Sequence, residues 1–221
     1  MDDVLISSQV MVRFLQARLP GARLLVIGED PLMPQLREAG FDLVEDARRT
    51  DAVIASFDRT FAYRKLQLAF DAIRAGARFF ATNGDRYCPV PGGGEPDAAS
   101  IIAAIEACTG VPCEATVGKP SRHMIDAALA MVGLPAAECV MTGDRLETDV
   151  LMGLDAGMAA ALTLTGATTQ AMLDESGVRP TYVLRRLEDL LPGDARDRPP
   201  SATAGADPAP GADHAPGAPT P

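Results

Sequence analysis

The stretch ECVMTGDRLETDVLMGLDAGM, residues 138–158, decides the fold of this chain. Its first apolar residues, 139–141, are typical of a short buried strand, which ends where Gly143 permits a sharp turn. Gly157 is a suitable residue to end the segment that follows. Within that segment the apolar residues recur with helical spacing, at Leu146, Val150, Leu151 and Leu154. We therefore expect a strand, a tight turn and a helix in that order.

Two acidic residues of this stretch, Asp144 and Asp149, are candidate metal ligands. Asp144 follows the carboxyl end of the expected strand, and in open α/β sheets this is the edge where ligands bind. Carboxylate oxygens are the ligands that Mg²⁺ prefers in proteins. The spacing also allows a simpler interpretation, in which one acid caps a helix and the other is a surface residue.

Lys119 is the candidate anion-binding residue. It belongs to the sequence Val-Gly-Lys-Pro at residues 117–120, and we expect Pro120 in the first turn of a following helix. Lys119 then stands where a loop meets a helix and can face an anion, although a solvated turn would explain the same residues. The apolar face of the expected helix comprises Met124, Ile125, Ala128, Leu129 and Val132.

Upstream of these stretches, short apolar runs alternate with amphipathic segments, which predicts a parallel sheet with helical crossovers. The turn at residues 28–30 lacks the GxGxxG spacing of a dinucleotide site. Residues 89–96 include three consecutive glycines and are expected to form a loop. The expected strands are residues 23–28, 51–57, 77–82, 160–164 and 182–184, and the expected helices are residues 9–19, 31–39, 63–75 and 101–108.

Composition limits the classes of function. The formal net charge of −10 opposes binding to nucleic acid. No apolar run reaches the length of about 20 residues that crosses a bilayer, and no signal peptide is evident, so we expect a cytoplasmic protein. The four cysteines form no CxxC pair, and three of them, in apolar surroundings, are expected to be small core residues. Residues 193–221 are mostly Ala, Pro and Gly, which predicts a disordered tail.

Several of these segments, in this order, resemble the haloacid-dehalogenase-like (HAD) hydrolase superfamily, in its NagD- and p-nitrophenylphosphatase-like branch. The matching text is GKPSRHMIDAAL (118–129), TGDRLETDVLMGLDAGM (142–158) and ALTLTGAT (161–168). The resemblance implies an α/β fold, with a partial HAD-type Rossmann-like core and a large α/β cap domain that has its own parallel sheet. It implies the following division: a linker or helix at 1–16, the cap at 17–115, the C-terminal part of the core at 116–192 and the tail at 193–221.

The resemblance also implies a function, namely a Mg²⁺-dependent phosphatase that acts on a small phosphate ester. In that family a lysine neutralises the phosphate and acidic residues complete the metal site. Lys119 matches the lysine, Asp144 the metal ligand and Asp149 a second acid of the metal shell, while Gly143 is the turn that exposes Asp144. Asp85, in the Thr-Asn-Gly-Asp sequence at 82–85, is a candidate for substrate contact.

The expected partners follow from this resemblance together with the charge and hydropathy given above. They are a small phosphorylated metabolite and a second copy of the chain bound through the cap, with no nucleic acid and no membrane.

The nucleophile of the resembled family has no counterpart here, because no apolar run in the chain ends in DxDG. In the family that segment precedes the position of Leu5, so we expect a truncated chain that is inactive by itself. The alternative is a non-catalytic HAD-like protein that binds a ligand or a partner. A third interpretation, an unrelated parallel α/β domain, also remains open at this point.

Overall fold

The computed structural model describes residues 3–191 of the chain. Residues up to Arg186 group into one compact unit, and a second unit begins at Leu187, of which a single turn of 3₁₀ helix (Leu187–Leu190) is described. Within residues 3–191, no helix is both long and apolar enough to span a bilayer. The tail predicted at 193–221 lies outside the described residues.

Helices and strands alternate along most of the first unit, as the sequence pattern predicts. In chain order they are α1 (Ser7–Arg18), β1 (Arg23–Ile27), α2 (Leu32–Glu38), β2 (Asp42–Leu43), β3 (Ala52–Ala55), α3 (Tyr63–Arg74), β4 (Arg78–Ala81), β5 (Tyr87–Val90), β6 (Gly93–Pro96), α4 (Ala98–Thr109), β7 (Ala115–Thr116), α5 (Arg122–Val132), β8 (Val140–Gly143), α6 (Leu151–Asp155), β9 (Ala159–Thr163), α7 (Gln170–Ser176) and β10 (Tyr182–Leu184).

A five-stranded parallel sheet occupies the first half of the chain, with strand order β2-β1-β3-β4-β7. Its central strand β3 is buried at every residue. The neighbouring strand β4 sends consecutive phenylalanines to opposite faces, because side chains alternate along a strand. Phe80 packs in the cluster that contains α1 and α2, whereas Phe79 packs in the cluster that contains α3 and α4. The sheet is therefore covered by helices on both faces.

A second, three-stranded parallel sheet follows, with strand order β10-β9-β8. Its central strand β9 is largely buried, but the outer strand β8 is not, and Val140 is 49% exposed. The five-stranded sheet lies within residues 23–116 and the three-stranded sheet within residues 140–184. The finer division into a cap at 17–115 and a core at 116–192 stays a prediction, since contacts keep residues up to Arg186 in one unit.

The loop expected at 89–96 is instead a β-hairpin, in which β5 and β6 pair antiparallel. Val90 pairs with Gly93, so only Pro91 and Gly92 form the turn. Gly92 has a φ of +85°, which glycine adopts without strain, and proline followed by glycine is a common pair at the centre of a tight turn. The glycine-rich composition therefore reflects a turn and a strand.

Two local expectations near the candidate site also need correction. Pro120 does not lie in the first turn of α5, because Ser121 is the N-cap and its hydroxyl accepts a hydrogen bond from the backbone N–H of His123 at 3.2 Å. The helix expected from Leu146 begins with one π-helical turn (Leu146–Val150) and becomes α-helical only in α6.

The expectation that three of the cysteines are core residues was wrong, because none of the four is fully buried. Cys108 is exposed, while Cys88, Cys113 and Cys139 are only partly buried. All four are free thiols.

Candidate active site

The candidate site forms where β8 ends. Gly143 is the last residue of the strand, and Asp144 follows it directly. The side chain of Asp149 returns to this turn and packs so closely against Gly143 that a Cβ there would overlap its carboxyl group. One oxygen of Asp149, Oδ2, accepts a hydrogen bond from the backbone N–H of Arg145 at 3.2 Å. Asp149 is thus held against the residues on either side of Asp144.

Lys119 reaches the same turn from the segment before α5. Its Nζ lies 2.7 Å from Oδ1 of Asp149, within hydrogen-bond distance. The side chain of Asp149 is 5% exposed, whereas that of Lys119 is 48% exposed. The buried carboxylate therefore anchors a lysine whose side chain is about half exposed.

Asp144 is held from its other side by the turn after β9. Its Oδ2 accepts a hydrogen bond from the backbone N–H of Ala167 at 2.7 Å, and its backbone carbonyl accepts one from the N–H of Thr168 at 3.1 Å. A Cβ at Gly166 would overlap the Asp144 carboxyl group. Within residues 3–191, Oδ1 of Asp144 accepts no hydrogen bond, so one carboxylate oxygen is free to bind a ligand.

Asp85 lies across from this turn, on the segment after β4. Its Oδ2 accepts a hydrogen bond from Nδ2 of Asn83 at 3.1 Å, and its Oδ1 lies 3.6 Å from Nη1 of Arg145. The guanidinium of Arg145 also lies 6.0 Å from the centre of the Tyr87 ring in the hairpin. Arg145 therefore joins the segment after β4 and the hairpin to the turn that carries Asp144.

Two cavities meet at Asp85. One, of about 410 Å³, is lined by Asp85, Lys119 and Thr148 among others. The other, also of about 410 Å³, includes Asp85, Arg145 and Tyr87 in its wall and shares Thr148 with the first. Lys119 thus borders the first cavity and Arg145 the second, and a cationic side chain at each suits a small anionic ligand.

The structure brings Lys119, Asp149 and Gly143 into direct contact, seats Asp144 in the same turn and places Asp85 on the wall of both cavities. Within residues 3–191, no cluster of three or more His, Cys, Asp and Glu side chains is arranged to hold a metal ion. Sequence reasoning missed the backbone N–H of Ala167 and the bridge made by Arg145. The sequence signal that could have indicated the role of Arg145 is its position directly after Asp144.

A lysine and two aspartates thus gather at the carboxyl edge of a parallel sheet, the edge at which open α/β folds bind ligands. Residues 116–190 match a family model described as HAD-hydrolase-like. The chain is 38% identical over 189 residues to the sugar-phosphatase AraL of Bacillus subtilis, an alignment that covers 86% of this chain and 69% of AraL.

Solved structures agree with this match. The p-nitrophenyl phosphatase of Archaeoglobus fulgidus superposes with a TM-score of 0.80 and 32% identity, over 85% of this chain and 73% of that one. For the 4-nitrophenylphosphatase of Thermotoga maritima the TM-score is 0.79 and the identity 35%, over 85% of this chain and 71% of that one. The chain belongs to the HAD hydrolase superfamily, in its NagD- and p-nitrophenylphosphatase-like branch.

Proposed function

We propose that this chain provides the phosphate- and Mg²⁺-binding side of a phosphatase site that acts on a small phosphate ester. The observation that carries the proposal is the contact of 2.7 Å between Lys119 and Asp149, made beside Asp144. A phosphate ester is anionic, and its approach to acidic groups requires a nearby cation to offset the repulsion. Lys119 is the lysine that supplies this charge.

The acids of the site are compatible with Mg²⁺. Mg²⁺ is commonly held by one or two carboxylates, with water and phosphate oxygens as its other ligands. Asp144 has a free oxygen for this purpose, whereas both oxygens of Asp149 already accept hydrogen bonds. Asp144 would therefore bind the ion directly, and Asp149 would orient Lys119 and the turn. When bound, Mg²⁺ supplies charge stabilisation to the phosphoryl oxygens.

The substrate class follows from the site and from the names of the similar proteins. AraL is a sugar phosphatase, and the similar solved structures are nitrophenyl phosphatases. The cavities beside Lys119 and Arg145 are large enough for a small ester. We propose a small phosphorylated metabolite as the ligand, with Asp85 and Arg145 at its non-phosphate end.

We propose that the chain works in the cytoplasm without nucleic acid or membrane partners, and that a second copy binds through the five-stranded part. The net charge of −10 supports the absence of a nucleic-acid partner. Gel filtration with light scattering tests whether a second copy binds, and a monomer at all concentrations would contradict that part of the proposal.

The absence of an apolar run that ends in DxDG favours a second candidate function, in which the protein binds phosphate esters or a partner without hydrolysing them. Loss of a covalent nucleophile lowers the rate by about 10⁴- to 10⁶-fold in other hydrolases. We expect the purified chain to show no turnover of p-nitrophenyl phosphate in the presence of Mg²⁺. Rapid Mg²⁺-dependent turnover would show that the chain contains a nucleophile that sequence reasoning missed.

Binding of inorganic phosphate, measured by isothermal titration calorimetry, tests the proposed site. We expect phosphate to bind in the presence of Mg²⁺ and the affinity to fall by at least about tenfold in Lys119→Met, because a charge-assisted hydrogen bond is lost. The chain has one other lysine, Lys65, which contacts the buried Asp58 at 2.5 Å. Lys65→Met is a matched control, because it also leaves a buried carboxylate without its lysine partner. It should leave phosphate binding unchanged.

Asp144→Asn provides a second variant in case Lys119→Met does not fold. It should remove the dependence of phosphate binding on Mg²⁺. Equal phosphate affinity in wild type, Lys119→Met and Asp144→Asn would refute the proposed site.

A further inference from the structure

The side chain of one asparagine connects the segment after β4 to the start of α4. Asn83 is the single asparagine of the chain, and it is partly buried. Its Nδ2 donates hydrogen bonds to Oδ2 of Asp85 and to Oδ1 of Asp97, both at 3.1 Å. A primary amide has two N–H donors, so it can serve both carboxylates at once. Asn83 therefore bridges two acidic side chains.

Asp97 is the fixed member of this group. It is the N-cap of α4 and is 8% exposed, and its Oδ1 also accepts a hydrogen bond from the backbone N–H of Ala98 at 2.6 Å. The positive end of the helix dipole stabilises a carboxylate at this position. Asp85, whose side chain is 37% exposed, instead lies on the walls of the two cavities. The amide of Asn83 thus connects a carboxylate of the candidate site to a buried one.

The same amide keeps two like charges in proximity. Asp85 and Asp97 both approach Nδ2 of Asn83, and without its N–H groups their carboxylates would repel each other. Nη1 of Arg145 lies 3.6 Å from the other oxygen of Asp85, which is longer than a normal hydrogen bond. Of these two contacts, the one from Asn83 is therefore the closer and the better suited to orient the Asp85 carboxylate.

We propose that Asn83 is a positioning residue for the ligand site: its amide orients Asp85, and Asp85 then accepts a hydrogen bond from a hydroxyl group of the bound ester. This inference rests on the proposed function. An ionised carboxylate accepts hydrogen bonds and donates none, so it favours a ligand that offers donors. A fixed Asp85 should therefore distinguish a phosphate ester with hydroxyl groups from the same ester without them.

The backbone around Asn83 has a separate contact with the segment that carries Lys119. The N–H of Gly118 donates to the carbonyl of Thr82 at 2.7 Å, and a Cβ at Gly118 would lie 3.1 Å from the Cβ of Asn83. These contacts involve the backbone and the Cβ, and the amide group takes no part in them. A change of the amide alone should therefore leave Lys119 in place.

Asn83→Asp tests the proposal, because it keeps the size of the side chain and replaces the donor amide by a carboxylate. The two probes are glycerol 2-phosphate and isopropyl phosphate, which share a carbon skeleton and differ in their hydroxyl groups. Isothermal titration calorimetry with Mg²⁺ and the full 221-residue chain measures both affinities. We expect wild type to prefer glycerol 2-phosphate by at least about threefold, the effect of one hydrogen bond, and Asn83→Asp to show no preference. Both proteins should bind isopropyl phosphate equally well.

Gln67→Glu is the matched control. Gln67 lies on α3 and also donates through its amide to an aspartate, Asp71, at 3.0 Å. The control should keep the preference of wild type for glycerol 2-phosphate. Asn83→Ala is a second variant in case Asn83→Asp does not fold, and it should also abolish the preference because it removes the amide without adding a charge. Urea midpoints verify that the variants are folded.

Asp85→Ala separates a positioning role of Asn83 from a merely structural one. It should abolish the preference by itself, and adding Asn83→Asp should lower neither affinity further, because Asn83 acts through Asp85. A structural role would instead lower the affinities of Asn83→Asp for both esters by equal factors. Equal factors, or an unchanged preference in Asn83→Asp, would overturn the inference and leave the proposed phosphate site standing.

A measurement without any ligand tests the contact itself. Because Asn83 is the single asparagine, isotope-labelled asparagine gives one side-chain amide signal pair in a nuclear magnetic resonance spectrum. We expect this pair to shift in Asp85→Ala and in Asp97→Ala but not in Gln67→Glu. An unchanged pair in the first two variants would refute the role of Asn83 alone. Failure of wild type to bind either ester would instead refute the proposed function, and the ligand-dependent part of this inference with it.

Discussion

The two parallel sheets of this protein share an architecture but differ in how completely they are built. The five-stranded sheet has helices on both faces and a central strand with no exposed residue. The three-stranded sheet has a small cluster of five buried apolar residues and a half-exposed outer strand. The lysine–aspartate pair beside Asp144 lies at the edge of the second sheet. Most of the buried apolar residues thus surround the five-stranded sheet, and the groups that we propose to bind phosphate and Mg²⁺ lie at the edge of the three-stranded sheet.

Each sheet also carries a lysine paired with a buried aspartate, and the two pairs differ in their surroundings. Lys65 contacts Asp58 and also donates to the hydroxyl of Thr60 at 2.7 Å. Lys119 contacts Asp149 and lines a cavity, and within residues 3–191 no second group accepts a hydrogen bond from its ammonium group. The Lys65–Asp58 pair belongs to a hydrogen-bond network with Thr60 that fixes a loop. The ammonium group of Lys119 makes one hydrogen bond, to Asp149, and can donate further ones to a ligand. Geometry of this kind distinguishes a structural pair from a binding pair.

The largest expected effect is on the five-stranded sheet. Phe80 is fully buried and packs edge-on against Phe14, with ring centres 5.2 Å apart. Phe80→Ala should lower the free energy of unfolding by about 3–5 kcal/mol through lost burial and a cavity. Urea denaturation measures this, with Val140→Ala as the control in the three-stranded sheet, expected to cost under about 1 kcal/mol. Equal losses of unfolding free energy in Phe80→Ala and Val140→Ala would contradict the conclusion that the five-stranded sheet is the better packed of the two.

The second prediction concerns Gly143 in the three-stranded sheet. Gly143→Ala should lower the free energy of unfolding by about 1–3 kcal/mol, because the new methyl group overlaps the Asp149 side chain. Gly93→Ala is the control, since nothing lies within 4 Å of a Cβ there and its φ is not positive. The cost of Gly143→Ala should shrink when Asp149→Gly is also present, because that change removes the Cβ of residue 149 as well as its carboxyl group, and strictly additive costs would argue against the close packing.

Acid stability should depend on an ion pair of the five-stranded sheet. Hydrogen bonds from Arg23 lower the pKa of Asp51 to about 2, from an ordinary value of 3.8. Because the folded state holds the lower pKa, the pair stabilises the protein above about pH 4, and this contribution is lost as the pH falls towards 2. Asp51→Asn should therefore flatten the fall in melting temperature between about pH 4 and pH 2. An unchanged pH profile would mean that Arg23 does not stabilise the ionised carboxyl group in the folded state.

The smallest effect concerns thiol reactivity and leaves stability unchanged. Burial raises the pKa of the Cys113 thiol to about 11, and Cys113 packs against the core of the five-stranded sheet. Cys139 is instead only partly buried, in the wall of a cavity of about 490 Å³ between α5, β8 and α6. Alkylation by iodoacetamide near pH 8, followed by mass spectrometry, should modify Cys139 faster than Cys113 because the thiolate reacts. Faster modification of Cys113 would show that its thiol is accessible to solvent and not buried against the core of the five-stranded sheet.

Much of the fold could be predicted from the sequence because apolar periodicity is a local signal. The strands near residues 23–28 and 77–82 and the helix near 63–75 formed within a few residues of their expected bounds. The hairpin at 87–96 was missed because three glycines suggested a loop. The decisive signal was the Pro91-Gly92 pair, which fits a two-residue turn.

The residue types of the candidate site were also visible in the sequence, but their partners were not. Nothing in the spacing indicates that Asp149, and not Asp144, contacts Lys119. The hydrogen bond from the Ala167 N–H to Asp144 joins positions that only the pairing of β8 with β9 brings together. The bridge from Arg145 to Asp85 depends in the same way on tertiary packing.

A crystal structure of the chain with inorganic phosphate and Mn²⁺ in place of Mg²⁺ tests the central claim most directly. The account predicts an anomalous peak roughly 2 Å from Oδ1 of Asp144 and a phosphate oxygen within hydrogen-bond distance of Nζ of Lys119. Asp149 should remain in contact with the same lysine. A metal ion bound elsewhere in the chain, or a phosphate ion that does not touch Lys119, would contradict the account.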